Sequence, residues 1–411
     1  MRIAIIGGGI TGLSLAYYLG KEHEITIFDK HIGGLLDAYK INNYFIERYY
    51  HHFFTIDSHL IKLIYELGLE KRILWNASRV GFFVNEKIHR FTTPFDLLAF
   101  KPLPFADRLR LGKLVLYFKM LRNYNRLVNV SAKNFLLRSV GKNVYNTIWG
   151  PLLRVKFGEY ADEISAAFVY GRIHPRSQSR RFGKEVVGYL IGSTKVLVDV
   201  LVNELRDRGI KFIDKEVKRI GENSVTADKI YKFDKIISTV PTEMFSRLTG
   251  IKYNIKYRGV VCMLLRMKKP LSNTYWMNIN DKRIPFGGVI EHTNLVPDTY
   301  CNNENLAYVF NYTKSNSKIY KMKDDKLFEL YAKGLKLMFP RFDKSDVIGY
   351  HVSRNKYATP VYNVGYLKPG FETRLRGVYM VNTSQIFPDD RNMNNSIKLA
   401  KRFINYFYSK I

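Results

Sequence analysis

Cysteine is nearly missing from this chain of 411 residues: Cys262 and Cys301 are the only two. They can build neither a disulfide framework nor a four-thiolate zinc site, so a reducing compartment and no metal are expected. Acidic residues are scarce beside basic ones, 36 Asp and Glu against 66 Lys and Arg, which leaves a net charge of +30. Such an excess suits nucleic acid, an anionic membrane surface, or phosphorylated and carboxylated ligands; a solvated Lys-rich surface accounts for it equally well. Proline is sparse, at 13, and hydrophobic residues reach 46%, which excludes a disordered chain and suggests two to three globular domains. Long apolar runs are also lacking. The one uncharged stretch near membrane-spanning length, Ile3 to Gly20, holds Gly7, Gly8, Gly9 and Gly12, follows a single Arg and precedes no small-residue cleavage pattern. It reads as neither a span nor a signal core, so a soluble cytoplasmic protein is expected, with peripheral contact at the inner membrane face as the alternative. There is no internal repeat, low-complexity tract, metal-ligand spacing or nucleophile elbow.

What is present is a fingerprint at the start of the chain. Ile3-Ala4-Ile5-Ile6 predicts a buried parallel strand, and Ile10 to Leu19 predicts a helix. Between them lies Gly7-Gly8-Gly9-Ile10-Thr11-Gly12, a G-x-G-x-x-G at a strand-to-helix turn. Gly7 permits the tight turn, Gly9 lets a pyrophosphate reach the backbone, and Gly12 lets helix pack on strand. Ile10 and Thr11 open the helix whose N-terminus favours negative charge. A second strand, Glu24 to Phe28, ends at Asp29, 22 residues after Gly7, where a carboxylate accepts hydrogen bonds from ribose hydroxyls. Strand, turn, helix and acid in register predict dinucleotide binding. No second fingerprint exists for a separate nicotinamide site.

After Asp29 come Lys30 and then His31-Ile32-Gly33-Gly34-Leu35. With this second glycine pair the chain resembles the flavin amine oxidase superfamily, which includes protoporphyrinogen oxidases, phytoene-type desaturases and UDP-galactopyranose mutases. The resemblance implies FAD as cofactor, with Gly33, Gly34 and Leu35 lining the path from pyrophosphate to flavin. Oxidase members usually carry a longer spacer with an Arg before the pair; the form here is closer to the mutases. Tyr50-His51-His52-Phe53-Phe54-Thr55 is similar to the segment in which an aromatic, histidine-rich strand nears the flavin, so His52 is a candidate for facing the ring, with a buried, hydrogen-bonded histidine as the alternative. Trp149 to Gly158 resembles a block closing the substrate domain, and places Arg154 and Lys156 as candidate substrate contacts. Val217 would meet the adenine edge by its backbone. Tyr357-Ala358-Thr359-Pro360-Val361-Tyr362 resembles the segment along the substrate face of the flavin, making Tyr357 and Tyr362 candidates for lining the site and Tyr362, with His52, the candidate catalytic pair. Near the C-terminus Gly377 to Val381 is a strand followed by Asn382 and Thr383, where most members have Gly and Asp to hold the ribitol. Asn392-Met393-Asn394-Asn395 then opens the last helix, whose backbone N–H groups would face the flavin.

The expected fold is α/β: an FAD-binding Rossmann-like domain from residues 1–75, 185–248 and 351–411, interleaved with an α+β substrate domain from 76–184 and 249–350. Leu97 to Val130 is expected to be helical, with Arg108, Lys119, Arg122 and Arg126 on one stripe. Arg172, Arg176, Arg180 and Arg181 form a candidate rim for an anionic ligand. The function implied is oxidation of an organic substrate by hydride transfer to flavin N5. A mutase-like, redox-neutral reaction on a nucleotide sugar is the second reading, and a prenyl-binding protein without flavin the third. The expected partner is a small-molecule substrate, anionic or lipophilic; no nucleic acid is expected, and the oligomeric state stays open.

Overall fold

The computed structural model describes residues 1–181 and 184–410, with side chains described for 1–179 and 185–410. Its first layer is a five-stranded, all-parallel sheet. β1 (Arg2–Ile6) is flanked by β2 (Glu24–Phe28) and by the strand Lys235–Ser238; Lys211–Ile213 and Val378–Met380 close the two edges. Side chains on a strand alternate between faces, and here both faces are covered. Ile3 and Ile5 enter a core with Leu13, Leu201, Ile397 and Phe403 of the helices Ile10–Leu19, Thr194–Asp207 and Met393–Tyr408. Ala4 and Ile6 point the other way, into a cluster with Phe245 and with Val225 of the antiparallel pair Ser224–Thr226 and Ile230–Lys232. That double burial is why β1 is written as an unbroken apolar run rather than an alternating one.

The second half is built on a seven-stranded sheet in the order Val347–Pro360, Tyr257–Met267, Asn305–Thr313, Gly288–Glu291, Trp276–Asn280, Val80–Val84, Lys87–Arg90. All its pairings are antiparallel except that of Trp276–Asn280 with Val80–Val84. One face packs on the helix Asp324–Met338 through Val261, Met263, Leu265 and Leu335. A separate helical cluster, including Phe105–Met120, Gly150–Phe157 and Ala166–Gln178, encloses Leu114, Phe118, Leu153 and Val169. No helix among the described residues is long and apolar enough to cross a membrane.

Three details differ from the expectations. Residue 351 falls inside a single strand, Val347–Pro360, that pairs along its length with Tyr257–Met267, so the chain to 360 travels with the second sheet. Pro360 ends that strand at the sheet edge, where its missing N–H interrupts no inner ladder. The boundaries at 75 and 185 likewise cut the paired strands Ile73–Ala77 and Lys184–Leu190. The segment Leu97 to Val130 is not one helix: it lies across Pro94–Leu98, Phe105–Met120 and Asn125–Val128, broken by extended Pro104 and Leu121, which takes Arg122 and Arg126 off the stripe.

Glu47 ties the two halves together without exposure to water. Its carboxylate accepts the Thr194 N–H at 2.8 Å and the Tyr189 hydroxyl at 3.1 Å, and its main-chain carbonyl accepts the Tyr308 hydroxyl at 2.7 Å. Burial outweighs these bonds and pushes the carboxyl up from 4.5 to about 7. The folded chain therefore holds a proton that the unfolded chain has released, and the stability contributed by Glu47 falls as pH rises from about 4.5 through about 7. Glu47→Gln removes this titration. The difference in unfolding free energy between the variant and the parent should shift in the variant's favour by on the order of 2 kcal/mol between pH 5 and 8. Parallel denaturation curves at the two pH values measure it, and an unchanged difference contradicts the assignment.

Candidate active site

From β1 the chain builds outward through β2 and Lys211–Ile213 on one side, then returns to Lys235–Ser238 and Val378–Met380 on the other, so the order reverses between β1 and Lys235–Ser238. The crevice at the carboxyl ends of such a pair is the usual ligand position in parallel sheets. A cavity of about 1650 Å³ opens there, lined at this end by Gly7, Gly9, Ile10, Thr11, Asp29, Lys30, Gly33, Gly34, Leu35 and Val217. It exceeds the roughly 300–1,000 Å³ of a pocket for one small ligand, so there is room for two.

The turn itself is built from close backbone contacts. Gly7, at φ +110°, donates its N–H to the Phe28 carbonyl at 2.9 Å. A Cβ on Gly12 would collide with the Gly7 carbonyl oxygen, so only glycine lets α1 (Ile10–Leu19) approach β1 this closely. Gly9 differs: a Cβ there would meet nothing within 4 Å, because it points into the cavity. Asp29 accepts the Gly8 N–H at 2.6 Å and the His31 N–H at 2.9 Å. The second glycine pair runs alongside the first, with the Gly33 N–H donating to the Gly8 carbonyl at 2.9 Å and Gly33 bridged to Gly9. On the other flank the Thr239 hydroxyl lies 3.0 Å from the Ile6 carbonyl and 3.1 Å from that of Gly7.

At the far end, Thr383 and Met393 line the cavity. Asn382 does not. Its amide donates to the Val240 carbonyl at 2.8 Å and accepts the Ser384 N–H at 3.0 Å, so it caps a local turn and has nothing left for a ligand. Asn394 also turns inward and is not among the cavity-lining residues, its Oδ1 accepting the His59 and Leu60 N–H groups at the start of the helix Ser58–Glu66. Gly12 lies behind the turn, its place set by packing alone. Asn392 caps the last helix by accepting the Asn395 N–H at 2.8 Å, and it borders the cavity with its N-terminus.

Between these ends the wall is aromatic and basic. His52 lines the cavity and places its Nδ1 2.9 Å from the Tyr275 hydroxyl. Burial, then Arg176, pushes its imidazole down to about 3, so it is neutral near pH 7 and cannot act there as a proton donor from a charged form. His51 is pushed down to about 4 by burial. Tyr50, Trp276, Phe310 and Tyr312 complete this wall. Lys156 and Tyr357 line the cavity, Lys156 bonded to Asp390 at 2.8 Å and Tyr357 accepting from Arg247 at 2.9 Å.

Two expected substrate contacts are elsewhere. Arg154 is exposed, because residues two apart on a helix point about 200° apart and Lys156 takes the inner face. Tyr362 is 1% exposed and not among the cavity-lining residues; it packs with Phe168, Tyr366 and Phe387, its hydroxyl unpartnered among the described residues. A position two residues beyond the edge strand has left the face that Tyr357 shares with the cavity. Arg172 and Arg176 do reach the cavity, while the side chains of Arg180 and Arg181 lie outside the described residues. Sequence reasoning missed Tyr275, Trp276, Phe310 and Tyr312. The last two are two residues apart on a strand and share a face, which was the available signal.

The family model for flavin-containing amine oxidoreductases matches residues 10–380. A Staphylococcus aureus protein named coproporphyrinogen III oxidase is 23% identical over 293 residues, 60% of this chain and 62% of that protein. The chain spans the same 62% of a second curated relative, an uncharacterized protein of Methanocaldococcus jannaschii. Among solved structures, an oxidoreductase from Methanosarcina mazei superposes with a TM-score of 0.75 at 18% identity, covering 98% of this chain and 100% of that one. Reduced UDP-galactopyranose mutase does so with a TM-score of 0.78 at 15% identity, covering 100% and 94%. At such identities the likeness is one of fold.

The two glycines of the turn should separate cleanly. Gly12→Ala is expected to destabilise the cofactor-free protein by about 1–3 kcal/mol through overpacking, whereas Gly9→Ala, at an ordinary φ of −76° with space around its Cβ, should change it by less than about 0.5 kcal/mol. Urea unfolding of both variants measures the contrast; equal losses would mean that Gly9 is also a packing residue.

Proposed function

The chain belongs to the flavin-containing amine oxidoreductase family, and on that premise we propose that it is an FAD-dependent oxidoreductase acting on a small organic substrate. The observation that carries this reading is the open cradle at Gly9: backbone stripped of side chains, facing a large cavity, at the N-terminus of α1. A diphosphate suits such a place, since unpaired N–H groups and the helix dipole both favour negative charge. Gly33 and Gly34 extend the cradle along the cavity. Asp29, with lone pairs left after its two backbone bonds, would accept ribose hydroxyls, and Val217 would flank the adenine. Thr383 and the helix opening at Met393 would hold the flavin end. Intact Gly7, Gly9, Gly12 and Asp29 speak against a prenyl-binding protein without flavin.

The chemistry that FAD supplies when bound is two-electron oxidation, with a hydride leaving the substrate for N5 and the electrons passing on to oxygen or a quinone-like acceptor. The chain's own part is positioning. Tyr50, Trp276 and Phe310 pack edge to face or tilted, with ring centroids 4.8–6.1 Å apart, and shield the site from water. His52, neutral and hydrogen-bonded to Tyr275, orients what lies against it. The N-terminus capped by Asn392 favours negative charge developing in front of it.

A redox-neutral rearrangement of a nucleotide sugar, of the UDP-galactopyranose mutase kind, is the second reading. The basic residues of the cavity wall favour it.

Purified protein is expected to show oxidised-flavin absorbance at about one FAD per chain, and Gly9→Val to fold with unchanged far-ultraviolet circular dichroism but without colour. A fully yellow Gly9→Val sinks the cofactor assignment. For the reaction, anaerobic mixing with porphyrinogens, polyprenoids, amines and nucleotide sugars should bleach the flavin band with one class. If none bleaches it and dithionite-reduced protein instead interconverts the ring forms of a UDP-hexose, the mutase reading replaces this one.

A further inference from the structure

The cavity wall carries more positive charge than its carboxylates balance. Lys156 comes from the helix Gly150–Phe157, Arg172 and Arg176 stand one turn apart on the helix Ala166–Gln178, and Arg391 lies just before the last helix. Against these four cations stand three carboxylates: Asp390, Glu185 and, buried behind the wall, Asp57, whose charge acts on Arg176. Asp390 is shared, one oxygen 2.8 Å from Lys156 and the other bonded to Arg172. Glu185 is 3.9 Å from Arg176, beyond hydrogen-bond reach. Arg391 has no acidic partner among the described residues. Lys156 and Arg172 are 13% and 26% exposed, so water does little to offset the excess.

We propose that Lys156, Arg172, Arg176 and Arg391 form an anion subsite that takes the carboxylate or phosphate of a substrate whose remaining body is apolar, and that turns amines away. The proposal rests on the oxidoreductase reading of this cavity and names its substrate class. Uncompensated charge away from water is costly, and an arriving anion removes that cost while an ammonium adds to it. Arginine's planar fork is suited to carboxylate and phosphate alike. The neighbouring groups report the same field. Burial, then Arg176, drives Arg172 down to about 9, and burial, then Arg172, drives Lys156 down. Burial raises the Tyr312 phenol, yet Lys156, Arg391, its bond with Tyr50 and Arg172 together outweigh burial, and the net shift is downward. His51, His52, Tyr50 and Tyr275 on this wall are neutral and supply no counter-charge, and buried Asp57 offsets part of the charge of Arg176 alone. The diphosphate cradle is on separate elements, β1 and α1, and does not use these cations. Farther along, Leu111, Val115, Ile148 and Leu152 line the same cavity and provide the apolar room for the rest of the molecule.

The test uses flavin-loaded protein titrated with four probes of equal chain length, decanoate, decyl phosphate, decanol and decylamine, read by isothermal calorimetry and by perturbation of the flavin spectrum. At least one of the two anions should bind about tenfold or more tighter than decanol, with decylamine weakest, and whichever anion is tighter identifies the headgroup. Arg391→Met, which strands no carboxylate, should remove most of that preference while leaving decanol binding and flavin content unchanged. Decylamine binding as tightly as the anions overturns the proposal. So does an anion preference that survives Arg391→Met, since that is adsorption to a chain of net charge +30. Loss of flavin in Arg391→Met also overturns it, because the cation would then serve the cofactor. Should the protein carry no flavin at all, calorimetry on the same probes still reads the anion subsite, so failure of the cofactor assignment and failure of this proposal give different results.

Discussion

The approach of Gly12 to the Gly7 carbonyl is the constraint on which the rest of the site depends. With no Cβ between them, α1 lies directly on the end of β1, and the helix N-terminus is delivered to the carboxyl edge of the sheet. That placement leaves Gly9 facing open space and lets the second glycine pair run beside the first, held by the Gly33 N–H on the Gly8 carbonyl. Asp29 braces both segments through the Gly8 and His31 N–H groups. One steric contact and one carboxylate therefore fix a side-chain-free backbone surface facing the cavity.

Two kinds of electrostatics meet in the cavity. At the glycine end, neutral N–H dipoles receive charge without carrying any, which suits a tightly approached diphosphate. On the opposite wall, full positive charges are held with too few carboxylates, at a cost the surrounding fold must bear. Glu47 shows the same fold handling a buried acid differently, by supplying enough donors to fix its geometry and allowing it to keep a proton. The contrast separates a structural group, satisfied internally, from groups left short of partners in a ligand cavity.

The parallel sheet, the glycine turn and the acid that follows β2 were legible in the chain because their signals are local. A strand buried on both faces needs a continuous apolar run, and a turn with a positive φ or a close backbone approach needs glycine at a set spacing. Lys156 could be picked from its block, as could the approach of His52 to the site. Arg154 and Tyr362 could not be excluded the same way. Arg154 is separated from Lys156 only by its helical angle, and Tyr362 from Tyr357 only by where an edge strand ends.

By itself, then, the sequence determined the nucleotide-binding half, whose chemistry is written in residues contiguous along the chain. Tertiary structure alone decided which side chains face the rest of the cavity. The wall of Tyr50, Tyr275, Phe310 and Tyr312, and the meeting of Lys156 and Arg172 over Asp390, bring together residues up to 262 positions apart. No local pattern encodes such pairs, because they are set by how a helical cluster and a seven-stranded sheet close over the mouth of a parallel one, and that closure follows from burying area rather than from any motif.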